Sequence, residues 1–203
     1  MKNEIEDKAL KKAELALDHV LLSMPHLVGL VQQIYLHIEP RVPTVGVFES
    51  GRMVINPLWF NDLSLDAATF VMAHELMHLM LKTHQRQGTT DAQMVNIAHD
   101  IIINFLLERK LGMPTPADGL TYDKVLEYDQ HYEFAYNDNI SLEKVIGLLS
   151  KSSRFNNSVK SWSKDYIFTS GDQVTNSTNL GAALEKALNP SSNQQKQSAH
   201  NRD

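Results

Sequence analysis

Between positions 74 and 99 lie four of the nine histidines of this 203-residue chain. Two of them frame His74-Glu75-Leu76-Met77-His78, an H-E-x-x-H pattern. On a helix, residues i and i+4 project about 40° apart, so both imidazoles reach a single ion. Glu75 stands beside them, placed to take a proton from a water at that ion without ligating it. Composition alone yields such a pentapeptide roughly 0.02 times per chain, so coincidence is a poor explanation. Ordinary hydrogen bonding by two helix histidines is the plainer alternative. The surroundings count against it. Phe70, Val71, Met72, Leu76, Met77, Leu79 and Met80 make the segment apolar on nearly every side, and unpaired ionisable groups buried there would be costly. A metal removes that cost by engaging the imidazole lone pairs. The expected chemistry is metal-assisted hydrolysis, with one zinc ion per chain.

Such a site needs a third protein ligand and one position open to water. Asp100 is the first candidate. It lies on the next helix, where Asn96, Asp100 and Asn104 form a polar stripe among Ile97, Ala98, Ile101, Ile102, Ile103, Phe105 and Leu106. A carboxylate there must be paired or metal-bound, and Asn104 or Asn96 would fix a histidine ring from behind. His84 is the second candidate. It occupies the third-histidine position of the metzincin pattern H-E-x-x-H-x-x-G-x-x-H, but Leu81 stands where that pattern has its helix-breaking glycine. On a continued helix His84 would point about 240° away from His78. His99 is third, adjacent to Asp100 but about 100° round the helix. The expected ligands are therefore His74, His78 and Asp100, with His84 the alternative third ligand and Glu75 the catalytic base. Arg86, Asp62, Asp66 and Glu108 read as solvated or capping charges, and the nearby methionines as core.

Several elements must position these residues. Leu10, Ala13, Leu17, Leu21 and Met24 recur at helical spacing, and Pro25 ends a first helix begun near residue 4. Alternation over Ile34–Ile38 predicts a strand. Thr44–Phe48 and Arg52–Asn56 flank Glu49-Ser50-Gly51 as a hairpin, closed by Pro57. Ser64 with Asp66 starts the helix that carries His74 and runs to about Leu81. Thr90 with Gln93 forms a capping box for the Asp100 helix, which Gly112 and Pro114 terminate. A third helix is predicted over Ser141–Leu149. Beyond Lys151, Asn, Ser and Gln dominate.

Composition bounds the function. Hydrophobic residues make up 42%, enough for a core, and no cysteine is present, which excludes disulfide scaffolds, thiol nucleophiles and cysteine zinc fingers. A net charge of −5 argues against nucleic acid as a partner. Val20–Ile38, the most lipid-like stretch, is broken by Ser23, Pro25, His26, Gln32, Gln33 and His37, so no membrane span is expected. The mixed-charge start carries no secretion signal, and a cytoplasmic location is expected.

Together these segments resemble a known family. Val42-Pro43, Met53-Val54-Ile55-Asn56-Pro57, the His74–His78 pentapeptide, His84-Gln85-Arg86 and Asn96-Ile97-Ala98-His99-Asp100 with Ile103-Asn104 are similar to the putative metallopeptidase domain that often precedes a von Willebrand A-like domain. The resemblance covers about residues 5–150 and implies a zincin-like fold and zinc peptidase activity on a peptide or protein substrate. No counterpart of the von Willebrand A-like domain is seen, so a stand-alone or truncated form is expected. The fold expected is α+β: a small antiparallel sheet packed on the H-E-x-x-H helix, with further helices and the Asp100 helix across the metal. Residues 1–150 would form the domain and 151–203 a polar, poorly ordered tail open to a partner protein. The strand Arg52–Ile55 is expected to offer an edge to an extended substrate. The alternative function is a non-catalytic zincin-like module that binds metal and partners without hydrolysis.

Overall fold

The computed structural model describes residues 2–86, 92–116 and 141–151. Helix α1, Lys2–Ser23, is followed by a 3-10 turn, Pro25–Leu27, and a short α2, Val28–Val31. Strands β1 (Tyr35–Ile38), β2 (Val45–Val47) and β3 (Arg52–Ile55) come next, then α3 (Pro57–Asp62) and α4 (Leu65–Met80). A 3-10 turn over Thr83–Gln85 leads towards α5 (Ala92–Phe105), which widens into a π-helical turn over Leu106–Lys110. The last described helix is α6, Leu142–Lys151. The architecture is α+β, as the sequence implies. Thr90 of the expected capping box lies outside the described residues, as does the polar segment after Lys151, including its proposed role in binding a partner.

α1 buries Ala9, Ala13, Ala16, Leu17 and Val20 against α3 and α4. This face is rotated towards the alanines, because Leu10 and Leu21 are only half-buried. Small side chains let the helices approach closely. Lys12, on the same helix, donates from Nζ to the carbonyls of Phe60 and Asn61, both at 3.0 Å, and to that of Leu63. These carbonyls lie at the end of α3, where Leu63 N–H also donates to the Phe60 carbonyl at 3.3 Å, and the ammonium adds to this cap. At the other end of α3, Asn56 Oδ1 accepts from the N–H of Leu58 and Trp59, ahead of Pro57 at the first helical position.

The sheet has the order β1-β3-β2. β2 and β3 are the expected hairpin, antiparallel with Gly46 opposite Val54. β1 differs from expectation: it runs parallel to β3, with Leu36 opposite Met53. After Ile38 the chain passes the site of β3, forms the outer strand β2, and returns through the turn to fill the gap. The sheet is therefore mixed, and Arg52–Ile55 is its middle strand, paired on both sides. That strand has no edge for a substrate, contrary to expectation. The turn depends on Gly51, at φ 86°, where a Cβ would come within 2.5 Å of the Gln33 carbonyl oxygen.

α4 lies against α1, β2 and α5. Ser64 Oγ accepts from Ala67 N–H at 3.1 Å to cap it, and Ala68, Phe70, Met72, Ala73, Leu76 and Met77 are buried. α5 is covered on two sides. Ile103 joins the core around α1 and α4, whereas Val95, Ala98, Ile101 and Ile102 pack against Leu142, Val145 and Leu149 of α6. A helix held on two faces places its polar stripe rigidly beside α4.

Candidate metal centre

α4 and α5 bring His74, His78 and Asp100 together, with ligand atoms all within 4.8 Å of one another. The two Nε2 atoms are 2.9 Å apart. Asp100 Oδ1 lies 3.4 Å from Nε2 of His74 and 3.1 Å from that of His78. A tetrahedral ion with bonds of about 2.0–2.1 Å sets its donors roughly 3.3 Å apart, so the triangle has the dimensions of a small-ion ligand shell. Side chains of His74, Asp100 and His78 are 17%, 16% and 9% exposed, so the triangle is largely withdrawn from solvent.

Behind each imidazole stands an oxygen. Asn104 Oδ1 lies 2.8 Å from His74 Nδ1, and Thr83 Oγ1 lies 3.0 Å from His78 Nδ1. When the Nδ1–H groups donate to these oxygens, both Nε2 atoms present lone pairs to the same point. Two lone pairs and a carboxylate oxygen facing one another call for a cation between them. Asp100 Oδ1 fits this reading, being buried without a hydrogen-bond partner. The donor set, two nitrogens and one carboxylate oxygen, suits a divalent metal ion.

The electrostatics follow from the same packing. Burial acts to raise the Asp100 carboxyl, yet the adjoining His74 and His78 rings hold it well below its ordinary value. Burial likewise works against a charged His74, but the Asp100 carboxylate beside its ring carries it above the usual histidine value. Burial pushes the Glu75 carboxyl up to about 7; His74 opposes this, Asp100 adds to it, and a hydrogen bond from the backbone N–H of Val47 opposes it. Glu75 thus lies against the sheet edge at β2, half-buried, with a proton affinity near neutrality.

The other sequence candidates fall differently. His99 is buried beside His78, ring centroids 6.4 Å apart, but it does not belong to the donor triangle. Neither of its ring nitrogens has a hydrogen-bond partner, and burial lowers its pKa to about 4. His84 falls in the turn Thr83–Gln85; its side chain lies outside what the structure describes. The turn exists without glycine at 81 because Lys82 takes the left-handed conformation, at φ 53°. Arg86 pairs with Glu143 at 2.6 Å and so ties this turn to α6. Asn96 donates to Asp100 Oδ2 rather than to a histidine. Thr83 and Val47 were not legible as site residues. The first depends on a turn with no glycine signal, and the second contributes only its backbone.

A site of this kind, on an α+β scaffold with helices around a three-stranded sheet, defines a protein suited to binding a metal ion. The chain belongs to the putative metallopeptidase domain family, whose model matches residues 8–202. No curated protein and no solved structure matches the chain. No described helix is long and apolar enough to cross a membrane.

Proposed function

We propose that this protein is a zinc-dependent peptidase of zincin-like type, cytoplasmic, acting on peptide or protein substrates. The observation that carries the proposal is the convergence of His74 Nε2, His78 Nε2 and Asp100 Oδ1 beside a glutamate of near-neutral pKa. His74, His78 and Asp100 would hold one zinc ion, which when bound makes a water acidic and polarises the scissile carbonyl. Glu75 takes the proton from the attacking water and later delivers it to the leaving amine. Asn104 and Thr83 keep the two rings turned so that their Nε2 lone pairs point inward. The Val47 N–H holds the Glu75 carboxylate at the edge of β2, where an extended backbone would lie.

Among the described residues three donors converge, which supports hydrolysis over a closed, structural site. The experiment is metal analysis with cleavage of an unfolded protein, comparing wild type with His74→Ala, Asp100→Ala and His84→Ala. About one zinc per chain is expected, lost in the first two variants and kept in the third. Zinc lost with His84→Ala, together with an inert wild type, would establish the closed binding module instead.

A further inference from the structure

The two oxygens of Asp100 are used differently. Oδ1 is buried, has no hydrogen-bond partner, and faces both histidine Nε2 atoms. Oδ2 accepts from Nδ2 of Asn96, one turn earlier on α5, at 3.2 Å. An amide meets a carboxylate with its NH2 group, because its oxygen would set two negative poles together. The far end of the same amide, Asn96 Oδ1, is buried with no hydrogen-bond partner. A buried carbonyl oxygen left so is destabilising, and an apolar residue at 96 would avoid it. The position is therefore shaped by what Nδ2 does for Asp100.

A carboxylate binds a cation through one oxygen or through both. We propose that Asn96 is a positioning residue that restricts Asp100 to ligation through Oδ1 alone. Held by Asn96, Oδ2 is kept out of the coordination shell, and the position it would fill stays open for a water. This inference rests on the peptidase reading and deepens it, since an open position separates a hydrolytic zinc site from a closed one.

The test compares zinc-loaded wild type with Asn96→Ala and with Asn96→Leu, which is close to isosteric and keeps the fold should alanine not. Three readouts are taken: the number of first-shell oxygen and nitrogen atoms by X-ray absorption, zinc affinity by chelator competition, and cleavage of an unfolded protein. The variants are expected to keep zinc within about tenfold of wild-type affinity and to gain one oxygen in the first shell. Their kcat should fall by about tenfold or more, with KM changed much less. Asn96→Gln, which retains the amide, should return the shell towards the wild-type count. A first shell unchanged in the folded leucine variant overturns the inference, and so does loss of zinc from it. A wild type that neither holds zinc nor cleaves overturns the peptidase reading as well. A wild type that does both, beside a variant with an unchanged shell, overturns only the role of Asn96.

Discussion

At Glu75 the side chain has two possible occupations, proton carrier or buried charge partner, and one substitution separates them. Glu75→Gln keeps shape and burial but removes the base, because an amide cannot accept the proton at neutral pH. Zinc should stay bound while cleavage falls by about 10²-fold or more. The thermal midpoint should hold or rise, since the carboxylate carries a desolvation penalty that the amide avoids. A variant that cleaves as well as wild type ends the mechanism; one that loses zinc and fold together makes Glu75 structural. Thr83 tests the histidines from behind. Thr83→Val removes the hydroxyl that meets His78 Nδ1, and zinc affinity should drop by about 10–100-fold with the fold intact, read by chelator competition and circular dichroism. An unchanged affinity would mean that the ring needs no such partner. His74, His78 and Asp100 were legible because a charge on an apolar helix demands a reason. Thr83 was not, because nothing local marks a threonine that becomes an acceptor only after Lys82 turns the chain back.

Among the elements, β2 has the most consequence for substrate. The bonds Phe48 N–H to Arg52 O and Asn56 N–H to Thr44 O fix the register, so Thr44, Gly46 and Phe48 direct their backbone groups at β3. Val45 and Val47 direct theirs away, to the side where Glu75 meets the Val47 N–H. A bound peptidic inhibitor should therefore slow amide exchange at Val45 and leave Met53 and Ile55, already laddered in the middle strand, unchanged. Slowing confined to 52–55 would contradict this placement. Hydrophobic spacing made α1, α4, α5 and the β2–β3 hairpin readable in advance, with ends displaced by one or two residues. The parallel pairing of β1 was not readable. Whether a strand lies parallel or antiparallel to a neighbour depends on where the next strand is inserted, and alternation over Ile34–Ile38 is the same in either case. Along α1 and just after it the spacing found Ala13, Leu17 and Met24, which are buried, but not Ala9 and Ala16 beside them: alanines carry little hydrophobic signal, but they are what a closely packed helix selects.

For the molecule as a whole, the site links α4 to α5, so its protonation and any metal it holds both bear on stability. In the metal-free chain several titrating groups meet there. Asp100, with a lowered pKa, contributes stability that is lost only as pH falls below the ordinary carboxylate value. His99, held down at about 4, contributes stability above the unfolded histidine value, near 6.5, and loses it as pH falls from there. Above pH 6.5 Asp100 no longer changes, and His99 adds only about its last few tenths of a kcal/mol. His74 and Glu75 have raised values, Glu75 at about 7, so each binds more proton folded than unfolded, and each loses its contribution as pH rises through its folded value. Both groups act in the same direction. Metal-free protein should therefore lose stability between pH 6.5 and 8, read as a fall in thermal midpoint. Zinc reverses the sign, because its ligands bind deprotonated and affinity rises with pH over the same interval. At a thousandfold excess over Kd the metal adds about 4 kcal/mol. Thermal melts at pH 6.5 and 8, with chelator and with zinc, should thus diverge: downward without the ion, level or upward with it. Parallel curves would show that the three side chains on α4 and α5 do not share a cation.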